Sequence, residues 1–496
     1  MIITLLSKII GFLRDMTLSY YYGVSHITDA FLISMTIPTV IITIIGVGIS
    51  ASYIPLYSRV LDSKGKTEAD NFTKRLVNLI LIISFMIILI VLIFTPFFVK
   101  IFAFGFEGEL LNLTVNFTRI SILGTIFTCL IFVYSSYLDL HNKFLVTVMV
   151  GLPINLLAIL FVLLSYKYNV YLLVIGSVIG VAIQLFLLMP SVYKLGYRHK
   201  TFISFRDGNI ISMLVLSLPV IIGVSIDQIN VLVDRTIASG LTEGAISAIT
   251  YSNRINIFVE GLFVLAISKV VFPKIASFAV KGDLKLLKQW VIKSINIINL
   301  LIVPSTIIFL TFSVEIIQLL YGRGAFDKSA VNMTSSTLFY YSIGMLGYGY
   351  REIISKTYYS LGDTKTPTIN AAIAVILNIV LNIILSRYLG VSGLALATSI
   401  AGLVSSCLLY ISLYRKVGSL NTIHLFKDFT KFLISSVIMA YCSKQLNEVL
   451  VMNINPSLSL MISMIVGFFI YLILLYLLRV DELKPYINFI EKKLFQ

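Results

Sequence analysis

Lys8, Arg14 and Asp15 lie inside the first apolar stretch of the chain. Two cations and a carboxylate in such a place suit binding rather than bond-making. A guanidinium presents a planar fork of donors that matches a phosphate bidentately, and an ammonium adds a point charge. Read as a helix, Ser7, Lys8, Gly11, Arg14 and Asp15 share one face at spacings of three, four and seven. Ile9, Ile10, Phe12, Leu13 and Met16 take the rest of the circumference. A charge at the centre of a membrane helix costs about 2.5–3.5 kcal/mol on insertion scales. The charged stripe must therefore face protein or a water-filled cavity. Other apolar segments carry Asp29, Arg119, Asp227, Asp234, Arg235, Arg254, Glu260, Lys269, Arg351, Glu352 and Lys356. Near segment ends, ion pairing or snorkelling accounts for such groups. For Lys8, Arg14 and Arg254 the better reading is a cation-lined cavity for an anionic substrate, with Asp15 and Asp29 as nearby acidic partners.

Other chemistries find little support. Cys129, Cys407 and Cys442 are far apart in apolar segments and read as small core residues. His26, His141, His199 and His424 are scattered near segment ends, and no HExxH, CxxC or paired-carboxylate hydrolase pattern occurs. The first residues lack the basic leader and small-residue site of a cleavable signal peptide.

The elements that position these residues follow from composition. Of 496 residues, 58% are hydrophobic and only 12% charged, with a mean hydropathy of +0.97. Soluble domains carry roughly 25% charged residues. The apolar runs are long and continuous, unlike the short alternating runs of a membrane barrel. The expected fold is an all-α polytopic membrane protein of about 14 transmembrane helices, since each span needs about 20 apolar residues. The expected segments are 2–21, 27–56, 77–103, 113–138, 144–165, 170–193, 209–238, 243–272, 287–312, 332–360, 367–387, 391–414, 430–447 and 457–479.

Loops after even-numbered segments, with the tail, hold about 24 Lys and Arg, among them Lys64, Lys74, Lys200, Arg206, Lys274, Lys365, Lys427, Lys484, Lys492 and Lys493. The other side holds five: Lys167, Arg323, Lys328, Arg387 and Lys444. The positive-inside rule then puts both termini in the cytoplasm. Much of the +15 net charge is thus a topology signal, and no aromatic-basic module argues for nucleic acid.

The chain also repeats itself. Tyr137 to Lys143 leads into a helix containing Asn155, and Tyr359 to Lys365 leads into one containing Asn378. Asp15-Met16-Thr17-Leu18 is matched by Asp234-Arg235-Thr236-Ile237. The offsets are all near 220 residues. An even number of helices separates the copies, so the halves are parallel repeats. The expected organisation is an N-lobe over 1–200, a C-lobe over 201–418, and a C-terminal helix pair with tail over 419–496. Two six-helix lobes around a central polar cavity suit alternating access.

Four stretches stand out as motifs: Ser7 to Asp15 with Gly23, Thr28-Asp29-Ala30-Phe31 and Pro38; Tyr251-Ser252-Asn253-Arg254 with Pro273; Tyr321 to Asp327; and Tyr359 to Pro367. In these the sequence resembles the lipid II flippases, the MurJ/MviN family of the multidrug/oligosaccharidyl-lipid/polysaccharide exporter superfamily. The resemblance covers essentially the whole chain and implies fourteen spans. It implies outward movement of lipid II, an undecaprenyl-diphosphate-linked peptidoglycan precursor, with no covalent step, in a bacterial cytoplasmic membrane. Cavity cations would hold the diphosphate, and the last two helices would form a groove toward lipid. Arg14 and Arg254 match cationic positions, Lys8 stands where many members have arginine, and Asp29 matches an acidic position. The chain departs at Ile41-Ile42-Thr43, where many members have paired arginines, and at Asn253 and Ile257, where acidic residues are common. A less charged cavity leaves another polyprenyl-diphosphate glycan open as substrate.

Some members bind sodium, and the matching positions are Asp234, Asn378, Asn382 and Thr398. All four supply the oxygen that a hard cation wants. Asparagines bridging helices are the alternative. Sodium would serve as coupling ion, and the protein would work as a monomer among membrane lipids. The rivals to a flippase are a drug/cation antiporter of the same superfamily, a membrane glycosyltransferase on the same lipid, and a non-transporting scaffold.

Overall fold

In the computed structural model, which describes residues 2–199, 208–480 and 482, every regular element is a helix. The expected lobe boundary at 200 and 201, and Lys200, Arg206, Lys484, Lys492 and Lys493, lie outside the described residues. The helices are α1 (Ile2–Tyr22), α2 (His26–Ile93), α3 (Thr95–Phe102), α4 (Gly108–Ser121), α5 (Gly124–Leu140), α6 (Phe144–Met149), α7 (Gly151–Lys167) and α8 (Leu172–Lys194). They continue as α9 (Gly208–Ser239), α10 (Ala245–Leu262), α11 (Val264–Val280), α12 (Leu284–Leu320) and α13 (Lys328–Ser360). The last are α14 (Lys365–Leu389), α15 (Val391–Val417), α16 (Thr422–Val451) and α17 (Pro456–Leu477). Among the described residues, nine helices are long and apolar enough to cross a bilayer, or ten if the bent pair α4 and α5 forms one span. The 68-residue α2 includes the whole of one expected segment and most of the next. α1 is charged at Lys8, Arg14 and Asp15, which lowers its apolar character despite its 21 residues.

The stretch 57–76 reads from the sequence as a loop, and the structure makes it helical. Lys, Glu, Ala, Arg and Leu make up nearly half of it and favour helix. Gly65 breaks α2 with φ 79° and ψ 174°. Tyr53 bonds Thr73 at 2.7 Å and Tyr57 donates to Asp70 at 3.1 Å, so the two arms pack side by side as a hairpin. Tyr57, Val60, Ala69 and Phe72 are buried there, in a cluster shared with Tyr137, Leu138 and Val192.

The chain forms two compact units. Unit 1 comprises Met1–Ser247 and Arg323–Ala330, and unit 2 comprises Ala248–Gly322 and Val331–Gln496. In unit 1, α1 packs on α7, α2 on α5 and α9, and α5 on α8. A cluster around Tyr53, Tyr57, Phe72, Tyr137 and Tyr197 fills one end, and Leu18, Ala30, Phe117 and Val174 fill another region. In unit 2, α14 packs on α15, and α16 on α17 and α12. Small residues set the approach of α13 to α15. A Cβ at Gly347 would meet the Gly402 carbonyl carbon at 2.7 Å, as expected where packing must replace a hydrophobic driving force. α17 shows the membrane pattern. Ser459, Ser463, Gly467, Tyr471 and Leu475 form a buried row at i, i+4 spacing, with Leu460 buried beside it, while Ile465, Phe468, Phe469 and Ile473 are exposed. Large apolar groups on the outside need an apolar solvent.

Candidate functional site

Arg14 is held by its own helix and by α7. Its Nε and Nη2 donate to Asp15 Oδ1 at 3.0 and 2.7 Å. Its Nη1 donates to Asn155 Oδ1 at 3.1 Å. Asn155 is in turn fixed through Nδ2, which donates to the Gly151 carbonyl one turn earlier at 2.9 Å. The guanidinium plane is thus set by two helices before any ligand arrives, and N–H groups remain on both Nη atoms. The Arg14 side chain is 32% exposed while that of Asp15 is 12% exposed, so the cation, not its partner, faces outward. Lys8 lies on the same stripe, half-buried, and makes no hydrogen bond or ion pair among the described residues. Asn155 is the residue that sequence reasoning left without a role at this site. Its only signal was its place in the repeat.

Asp29 sits elsewhere. Gly244 N–H donates to its Oδ2 at 2.9 Å and Ser247 N–H to its Oδ1 at 2.8 Å, and the Ser247 hydroxyl also donates to Oδ1. No hydrogen bond joins Asp29 to Arg14. The carboxylate satisfies free N–H groups at the start of α10 and places negative charge at the positive end of its dipole. α10 is the helix that carries Arg254, an exposed residue in unit 2.

Further contacts of unit 1 gather around the same helix start. His26 N–H and Nδ1 approach Glu243 Oε1 at 3.1 and 2.9 Å, which holds the Glu243 carboxyl below the usual range. Arg235 Nη1 donates to the Ile246 carbonyl at 3.0 Å. The 323–330 segment joins unit 1, and Ala325 N–H donates to the Tyr20 carbonyl at 2.8 Å. Gly23 and Gly324 have positive φ at 60° and 64°. A Cβ on either would stand 2.3 Å from a backbone oxygen, that of Ala325 or of Tyr20. Here backbone meets backbone, and only glycine permits the approach.

The candidate cation ligands divide between the units. Asp234, in unit 1, accepts from Asn230 Nδ2 at 3.5 Å. In unit 2, Asn382 Nδ2 donates to Asn378 Oδ1 at 2.7 Å and Asn378 Nδ2 donates to Thr398 Oγ1 at 3.1 Å, tying α14 to α15. The unit 2 trio is a set of neutral oxygen donors, chemically suited to an alkali cation.

A bundle of apolar helices with an oriented cation on its first member defines a multi-span membrane protein. The fold matches an inward-facing multidrug resistance MATE family transporter of the MOP superfamily at a TM-score of 0.72. That match is 14% identical and covers 85% of this chain and 99% of the other. The chain belongs to the lipid II flippase MurJ family, whose model matches residues 18–476. The solved structure of a lipid II flippase MurJ, in an inward closed conformation, matches at a TM-score of 0.85 and 27% identity over 97% of this chain and 99% of that one. The lipid II flippase MurJ of Thermosipho africanus is 28% identical over 89% of this chain and 88% of its own. A probable lipid II flippase MurJ of Thermotoga maritima is 26% identical over 97% and 96%. The family is one of transporters, not enzymes, and the chain is a multi-span membrane protein.

Proposed function

We propose that this protein carries lipid II from the inner to the outer leaflet of the bacterial cytoplasmic membrane by alternating access, with both termini cytoplasmic. The observation that carries the reading is Arg14, oriented by Asp15 and Asn155 yet still exposed. Its fork is matched to a diphosphate, and Lys8 and Arg254 are proposed as further cationic contacts. Asp15 sets the Arg14 geometry, and Asp29 enters by capping the helix that bears Arg254. The lobes 1–200 and 201–418 are proposed as the moving parts, with 419–496 as an appended helix pair and the monomer as the working unit. Sodium, held by Asn378, Asn382 and Thr398 with charge from Asp234, is the proposed coupling ion. The antiporter reading has only the fold likeness behind it.

The test is binding of a fluorescent lipid-diphosphate, and flipping of lipid II against other polyprenyl-diphosphate glycans, by purified variants in proteoliposomes. Losing a charge-assisted donor costs about 1.5–3 kcal/mol, roughly 10- to 150-fold in affinity. Arg14→Ala and Arg254→Ala should show that loss while staying folded, and Arg14→Lys should keep part of it. Parental affinity in both alanine variants would remove the cations from the site.

A further inference from the structure

Within unit 2, α10 and α11 face α13 across a cavity of about 400 Å³. That lies within the usual range of small-molecule sites, roughly 300–1,000 Å³. Four ionisable side chains line it: Glu260 from α10, and Arg351, Glu352 and Lys356 from α13. Three of them, Arg351, Glu352 and Lys356, are engaged with the protein. Ser268 Oγ donates to Glu352 Oε1 at 2.8 Å, Lys356 Nζ stands 4.0 Å from the same oxygen, and Lys356 also lies over the Phe272 ring. Glu260 differs. No hydrogen bond or ion pair reaches it among the described residues, and its neighbours Ile257, Val264 and Leu265 are apolar. A carboxylate in such surroundings keeps its charge only if a cation comes to it. Nothing in the diphosphate reading uses this residue.

Position along α10 ties the cavity to that reading. Arg254 and Gly261 are i, i+7 on one face, and Gly261 lines the cavity. Six residues separate Arg254 from Glu260, a rise of about 9 Å. A headgroup gripped at Arg254 would reach Glu260 by passing about 120° around α10 as well as about 9 Å along it. The mixture of charges decides what the portion at Glu260 is. A purely anionic group meets Glu260 and Glu352, and a purely cationic one meets Arg351 and Lys356. A zwitterion satisfies both sets.

We propose that the α10–α13 cavity seats a zwitterionic, peptide-like part of the lipid-linked headgroup, with its free ammonium on Glu260 and its carboxylates toward Arg351 and Lys356. This rests on the flippase reading and adds a specificity-determining residue to it. The experiment uses the full-length protein and three lipids: lipid II with a free side-chain amine on its peptide, the same lipid acetylated at that amine, and the same lipid dimethylated there. Acetylation removes the charge, and dimethylation keeps it while adding bulk. The parent protein should bind the free and dimethylated lipids alike and the acetylated one about 10-fold more weakly. Glu260→Gln should bind all three at the acetylated level. Equal binding of the free and acetylated lipids by the parent overturns the proposal without any variant, and so does a dimethylated lipid as weak as the acetylated one. Failure of the parent to bind any of the three would instead overturn the flippase reading, and this inference with it.

Discussion

Replacing Asp29 by alanine removes one acceptor set from three donors at once. The carboxylate is 3% exposed and Ser247 is wholly buried, so water cannot step in without local opening. Loss of a side-chain cap costs about 0.5–2 kcal/mol, and a buried N–H left without an acceptor costs about 1–3 kcal/mol. Gly244 and Ser247 both lose their acceptor, and part of each cost is shared, so we expect about 2–4 kcal/mol at the start of α10. That is a 30-fold rise in local opening at the lower end of the range. Hydrogen exchange of the 244–247 amides in detergent reads it directly. Asp29→Asn keeps one carbonyl acceptor and should fall between parent and alanine. Ser247→Ala removes only the hydroxyl and should do least. The affinity of the Asp29→Ala protein for a lipid-diphosphate should fall less than that of Arg14→Ala, because Asp29 acts through the helix. Unchanged exchange at 244–247 in the alanine variant would refute the capping assignment. A binding defect as large as that of Arg14→Ala, with unchanged exchange, would make Asp29 a direct contact instead.

Gly23→Ala should destabilise more than Gly65→Ala in thermal melts. Both glycines have positive φ, which costs a side chain on the order of 1–3 kcal/mol, but a Cβ at 23 also meets the Ala325 oxygen while Gly65 has open space. Asn382→Asp puts a carboxylate beside Asn378 and should enlarge the difference in melting between sodium and potassium, since a bound ion stabilises by mass action. Identical melts for parent and variant in both salts would leave the asparagines as a helix bridge. Asp363, in the turn before α14, accepts from Lys416 at 2.6 Å and from the Thr366 N–H and hydroxyl, which pushes its pKa from 3.8 down to about 2. A folded value below the unfolded one means its contribution is present above about pH 4 and is lost as pH falls through about 2. Amide protection of the 363–366 turn should fall across that interval in the parent and be flat in Asp363→Asn.

The helical class, the placement of nearly every long segment and the charged stripe of α1 were legible in the chain itself, because each rests on local facts. Apolar runs, period and the cost of charge in lipid are properties of neighbours in sequence. The pairing of Arg14 with Asp15 needs only one helix. The rest required partners brought from afar. Asn155 reaches Arg14 of α1 from α7, and nothing in its own neighbourhood says that its oxygen faces a guanidinium. Asp29 looks like one more acid near the cavity until the start of α10 takes both its oxygens. The 57–76 stretch looks like a polar loop because its exposed face is charged, and only the hairpin around Gly65 buries Tyr57 and Phe72. Glu260 was visible as a charge in an apolar run, but that it has no hydrogen-bond or ion-pair partner among the described residues is a property of the cavity. Spacing along the chain determines which residues share a face. What faces them is decided by packing between segments remote in sequence, and that packing decides whether a charge is a ligand, a cap or a strut.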